Sequence, residues 1–156
     1  MTSLEHIQRL IEELGPATEE VVEVHQQEEG SWDVSYADET RVGLDHMADQ
    51  DKLMLTTELG PLPEDRKAHS HEFLLIYNYA WTQSGGIKMG LDAPGGNVVM
   101  MFELNAASLD LQTLQRILAS FVEKAGCWRE LVAAGFDQEE AAVEHEHLGI
   151  PGAIRV

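Results

Sequence analysis

Leu4, Ile7, Ile11 and Leu14 recur every three or four residues, which is the spacing of one helix face. Thr2 and Glu5 stand where a capping box opens a helix, and Gly15-Pro16 stands where one stops. A short amphipathic helix is therefore predicted at the start of the chain. Residues 17–29 carry Glu19, Glu20, Glu23, Glu28 and Glu29 and read as an exposed connection, with room for a strand at 21–25. The period then changes to two. Trp32, Val34 and Tyr36 alternate with Asp33 and Ser35, and Val42 and Leu44 alternate with Arg41, Gly43 and Asp45. Leu53, Leu55 and Leu59 alternate with Lys52, Thr56 and Glu58. This alternation predicts three strands with one buried face. Asp38-Glu39 and Asp49-Gln50-Asp51 supply the turns of an antiparallel meander.

Pro61 and Pro63 end the third of these strands, and Glu64 and Asp65 suit the positive first turn of a helix. Phe73, Tyr77 and Ala80 form a stripe with Leu74 and Trp81 beside it, and Gly85-Gly86 ends the segment. The uninterrupted stretch 64–84 is too long for a typical strand, so a helix is predicted. Ile87, Met89 and Leu91 alternate with Lys88, Gly90 and Asp92, and Ala93-Pro94-Gly95-Gly96-Asn97 makes a turn. Residues 98–102 are apolar at every position, so both faces of that strand are expected to be covered, one by a helix and the other by a second subunit. Ser108 or Asp110 caps the last long helix. Its stripe of Leu111, Leu114, Leu118, Phe121, Ala125, Trp128 and Val132 reads as core, and Gly135 closes it. Asp137 and Glu140 resemble a further capping box, which suggests a short helix in an acidic extension over 136–156. The expectation is an α+β domain over 1–135 in the order α-β-β-β-α-β-β-α, with three main helices on a twisted antiparallel sheet of about five strands.

Charge narrows the partners. The chain has 28 acidic and 10 basic side chains and a formal charge of −18. Such a surface repels phosphate backbones and anionic lipid, so neither nucleic acid nor membrane is expected as a partner. Basic partners fit, as does the need to keep an exposed apolar patch in solution. The single cysteine, Cys127, cannot form an intrachain disulfide and reads as a small buried hydrophobe beside Trp128. The first residues lack a basic stretch followed by an apolar run, and no apolar stretch is long enough to span a bilayer. The reading is cytoplasmic.

No nucleophile elbow, phosphate loop, zinc-protease helix or dinucleotide-binding glycine pattern is present. His69-Ser70-His71-Glu72 is the strongest metal candidate. On a helix His69 and His71 point to nearly opposite sides, so only His69 with Glu72 shares a face. His145-Glu146-His147 has the same fault, although the two clusters could meet across a dimer. No catalytic residue, metal site or cofactor is assigned, and the reading is of a protein that is not an enzyme.

The order of elements, the size and the acidity together resemble the type III secretion chaperones of the Tir-chaperone (CesT-like) family over about 4–135. The run Asp51-Lys52-Leu53-Met54-Leu55-Thr56-Thr57-Glu58-Leu59-Gly60 looks like the family's third strand, with its exit through Pro61 into an aromatic helix. The hairpin over 86–104 fits as well. The resemblance implies a homodimer, a virulence function and a secreted effector as partner. An N-terminal effector segment would be held in extended form, soluble and secretion-competent, without nucleotide. The family's layout places the effector groove along Leu4, Ile7, Ile11, Trp32, Val34 and Tyr36, and the dimer contact at Phe73, Tyr77, Trp81, Val98, Met100 and Phe102. Met47 and Met54 are flexible apolar residues suited to varied partners. The alternatives are an acidic adaptor for a folded partner, an immunity-type protein that masks a basic toxin, and a small metal-dependent enzyme.

Overall fold

The computed structural model describes residues 2–137. Its elements are α1 (Ser3–Ala17), β1 (Val21–Glu28), β2 (Ser31–Tyr36), β3 (Arg41–Met47), β4 (Lys52–Pro61), a 3-10 turn (Glu64–Arg66), α2 (Lys67–Tyr79), β5 (Lys88–Leu91), β6 (Asn97–Asn105) and α3 (Leu111–Ala133). Three helices and six strands give the expected α+β architecture, with sheet order β1-β2-β3-β4-β6-β5. The sheet has one strand more than predicted. The addition is β1, which the acidic composition of 17–29 disguises as a connection. Its burial shows no alternation, so the period-two signal is missing.

The chain divides into two compact units, Met1–Thr57 with Glu103–Lys124, and Glu58–Phe102 with Ala125–Val156. In the first unit, α1 opens with the predicted capping box. Thr2 Oγ1 accepts from the Glu5 N–H at 3.2 Å, and Glu5 Oε2 accepts from the Thr2 N–H at 2.8 Å. The Thr2 N–H holds the Glu5 carboxyl below its ordinary value. The helix runs on through Gly15 and Pro16 to Ala17, one turn's end later than the sequence suggests. β1, β2, β3 and the start of β4 form the antiparallel meander, with Val24 beside Val34, Trp32 beside Leu44, and Leu44 beside Leu55. Ile7, Ile11 and Leu14 of α1, Val34, Val42, Leu44, Leu53 and Leu55 of the strands, and Leu114 and Leu118 of α3 are fully buried or nearly so. Asp110, rather than Ser108, caps α3: its Oδ1 accepts from the Thr113 N–H at 2.7 Å, which also lowers its carboxyl from the usual value.

In the second unit, α2 is shorter than predicted and ends at Tyr79. Local bonds take over in the next residues. The Gln83 N–H donates to Ala80 O, and Ser84 Oγ donates to Trp81 O, so the backbone turns before the glycines are reached. β5 and β6 pair antiparallel. In β6, Val98 and Met100 are fully buried while Val99, Met101 and Phe102 are half-buried, so one face is covered and the other is partly open. Gly135, at φ +66°, ends α3 where a Cβ would lie 2.4 Å from that of Arg66. The Phe136 N–H reaches Leu131 O and the Gly135 N–H reaches Val132 O, which closes the last turn. Phe136 belongs to this core although the sequence assigned it to the extension. It stacks on Phe73 at 4.4 Å, and its carbonyl accepts from His69 Nε2 and Arg66 Nη2. Cys127 is half-buried, not enclosed. The expectations for Glu140, His145 and His147 lie outside the described residues.

Candidate functional site

β1 stands at one end of the sheet order, so one of its backbone edges has no strand beside it among the described residues. Unpaired N–H and C=O groups make such an edge a template for another chain. Glu23, His25, Gln26, Gln27 and Glu28 are exposed along it, and the charges of Glu23 and Glu28 discourage pairing with unselected strands. Register shifts between Val21 and Glu23 and between Gln26 and Glu28 leave Glu23–Gln26 as the regular stretch.

Beside this edge, α1 and β1 enclose a groove of about 440 Å³. Ile11, Gly15 and Pro16 form one side, Val21, Val22 and Val24 form the other, and Trp32 lies below. Gly15 faces Val24 across the groove, where a Cβ would sit in ordinary contact with Val24 Cγ2 at 3.5 Å. Val22 is 69% exposed, although valine ordinarily seeks burial. An edge strand beside an apolar groove can take a peptide by main-chain pairing and fill the groove with its side chains.

The six residues expected to line an effector groove lie mostly in the core. Ile7, Ile11, Trp32, Val34 and Tyr36 are buried within the first unit, and Leu4 is half-buried. The family's layout named them, and their apolar periodicity records burial rather than accessibility. Ile11 and Trp32 still touch the groove, beside Gly15, Pro16, Val21, Val22 and Val24 and the polar Glu12, Glu23 and Gln26. The adjacent valines in an acidic stretch were the signal for Val22.

The six residues expected at a dimer contact also divide. Tyr77, Val98 and Met100 are buried inside the second unit, with the Tyr77 phenol pushed above its usual range by burial. Phe73 and Phe102 are half-buried, and only Trp81, at 70%, is openly exposed. Leu75, Ile76 and Tyr79 of α2 are exposed apolar residues as well, alongside Trp81. The stretch 73–77 of α2 is apolar at five consecutive positions, so it turns apolar side chains outward as well as inward and needs cover on both sides. That signal was present in the run 73–77.

The described residues contain no gathering of three or more His, Cys, Asp or Glu side chains able to hold a metal ion. His69 donates to Phe136 O at 2.7 Å, and His71 is exposed. No described helix is long and apolar enough to cross a membrane.

The Tir chaperone protein (CesT) family matches residues 9–129. The chain belongs to this family. By family it is a type III secretion chaperone. Among solved structures, the chaperone is similar to the ExsC–ExsE complex at 22% identity and a TM-score of 0.69, covering 85% of this chain and 98% of that one. It is similar to the HopA1–SchA chaperone–effector complex at 20% identity and 0.66, with 82% and 96% covered. The type III secretion chaperone SycH of Yersinia pestis, in complex with a stable fragment of YscM2, is matched at 22% identity and 0.58, with 81% and 99% covered. At these identities the likenesses establish the fold. No curated protein matches the chain.

Proposed function

We propose that this chaperone holds the N-terminal segment of a secreted effector in extended, non-globular form, and so keeps it soluble and secretion-competent without nucleotide. The observation that carries this reading is the unpaired edge of β1 beside the groove under Val22. A client segment adds as a strand on that edge and seats its apolar side chains between α1 and β1. Binding prevents collapse because a segment paired there has lost the groups through which it would aggregate. The solved complexes of ExsC with ExsE and of HopA1 with SchA support the reading by their fold and by what they contain. The charge of −18 supports a cytoplasmic carrier of basic clients that engages neither nucleic acid nor membrane.

The test is capture of the client from the native host followed by limited proteolysis. The expected result is an N-terminal segment of a secreted protein that resists protease only while bound. An intact folded partner, equally resistant when free, would replace this reading by that of an adaptor.

The functional form in this proposal is a homodimer joined through Leu75, Ile76, Tyr79 and Trp81. Four large apolar side chains exposed on one unit are a liability for a lone chain and an asset at a symmetric contact. Light scattering is expected to give twice the chain mass of 17.3 kDa. Trp81→Asp and Ile76→Asp are each expected to return it to the monomer mass while leaving a folded chain. An unchanged mass in both variants would remove this face from the contact.

A further inference from the structure

A second cavity, of about 770 Å³, lies in the first unit between the α1–β1 turn, the end of β2 and one face of α3. Ala17, Ala37, Ala119 and Val122 give it apolar walls. Gln115 braces it: its Nε2 donates to Ala17 O at 3.0 Å and to Thr18 Oγ1 at 2.9 Å. The Ala37 N–H donates to Glu20 O at 2.9 Å and ties the two strand ends together. The walls are therefore fixed before anything enters. The size falls within the range of pockets that enclose a small ligand or a large side chain.

The rim is acidic. Glu19, Glu20, Asp38 and Glu123 surround the opening, all exposed, against the single guanidinium of Arg116. Their field reaches inward. The Tyr36 phenol, in the cavity wall, is pushed above its usual range first by burial and then by Glu20 and Asp38.

We propose that this cavity is a second client subsite, which takes one large apolar side chain flanked in sequence by Lys or Arg. The apolar walls receive the side chain while the rim carboxylates meet the flanking cations. Anionic ligands are repelled by that rim. A second copy of the chain, with 28 acidic side chains against 10 basic ones, brings charge of the wrong sign. The inference rests on the client reading above for the extended nature of the ligand, but it uses a different surface from the β1 edge. It adds a rule of selection: the edge pairs with the main chain of an extended segment, and the cavity favours segments with a basic–apolar–basic pattern.

The test uses the full chain and a labelled synthetic peptide carrying one Leu flanked by lysines in a Gly/Ser background. Matched peptides carry Glu in place of Lys, or Ser in place of Leu. Anisotropy is expected to show binding of the Lys-flanked Leu peptide only, weakening as salt shortens the Debye length from about 10 Å at 0.1 M. Ala119→Lys, which sets an ammonium in the cavity, is expected to weaken it by about tenfold or more. Glu20→Lys with Asp38→Lys, both on the surface, is expected to abolish the preference for Lys over Glu flanks, and it serves if Ala119→Lys does not fold. Equal binding of the two charged peptides, no binding of the Lys-flanked one, or indifference to both variants would overturn the inference. The β1 edge gives the separating control. A captured and protected client whose binding ignores the cavity variants defeats this inference alone. Cavity-dependent peptide binding by a chaperone that protects no client defeats the client reading alone.

Discussion

Proline placed along the regular part of β1 is expected to abolish client protection at alternate positions and to unfold the strand at the others. Glu23, Val24, His25 and Gln26 pair in steady register with Ser35, Val34, Asp33 and Trp32 of β2. Along such a strand successive N–H groups point alternately to the partner strand and to the open edge. A proline whose nitrogen faces β2 removes a ladder bond of the fold, whereas one at the open edge is tolerated. The tolerated variants therefore separate folding from function. Each removes a main-chain donor to the client and puts a pyrrolidine ring in its path. A lost hydrogen bond contributes roughly 0.5–1.5 kcal/mol, and the ring blocks its neighbours, so affinity is expected to fall by about tenfold or more. Val22→Asp is the companion change, since it sets a carboxylate in the groove without touching the backbone. Thermal melts identify the folded variants, and titration with the captured client segment reads the loss. Folded variants at all four positions that bind as the parent does would exclude strand addition at this edge.

Trp128→Ala is expected to cause the largest loss of stability of any single truncation in the second unit. Trp128 is fully buried. Its ring meets Tyr77 at 4.8 Å, Phe136 at 6.0 Å and Phe73 at 6.5 Å, each edge to face. Truncating a buried tryptophan costs about 3–5 kcal/mol, because the transfer energy is lost and the surrounding rings cannot collapse into the space. Set against a total stability of about 5–15 kcal/mol, this removes a large share. Trp128→Phe keeps an aromatic ring in place and is expected to lose markedly less. Urea denaturation measures both, and equal midpoints for Trp128→Ala and the parent would show that the ring cluster is not a source of stability.

The two predictions draw on residues that the sequence exposed unequally. Trp128 sat in an unbroken helical stripe from Leu111 to Val132, and burial of that stripe was legible in its spacing alone. β1 was half-hidden, because a strand that packs little on either face has no reason to alternate and carries the composition of a loop. Val22 and Val24 were visible as valines but not as the wall of a groove. α2 was legible as a helix, but its stop was not, since local bonds from Ala80 to Ser84 compete with the helix before any glycine does.

The sequence by itself determined the three helices, the meander, the β5–β6 hairpin, the Thr2–Glu5 box and the family they resemble. All of these rest on local chemistry: the period of apolar positions, the side chains able to bond a helix end, and the residues that permit a turn. Only the tertiary structure decided which apolar residues remain available to a partner. It enclosed Ile7, Val34, Val98 and Met100, and it left Val22, Leu75, Ile76, Tyr79 and Trp81 outside. It also brought Tyr36 of β2 to one wall with Ala119 and Val122 of α3 and set four carboxylates around them. Periodicity reports that a residue needs cover, but which surface provides that cover depends on elements distant in the chain. A core side chain and a binding side chain therefore carry the same pattern until the fold separates them.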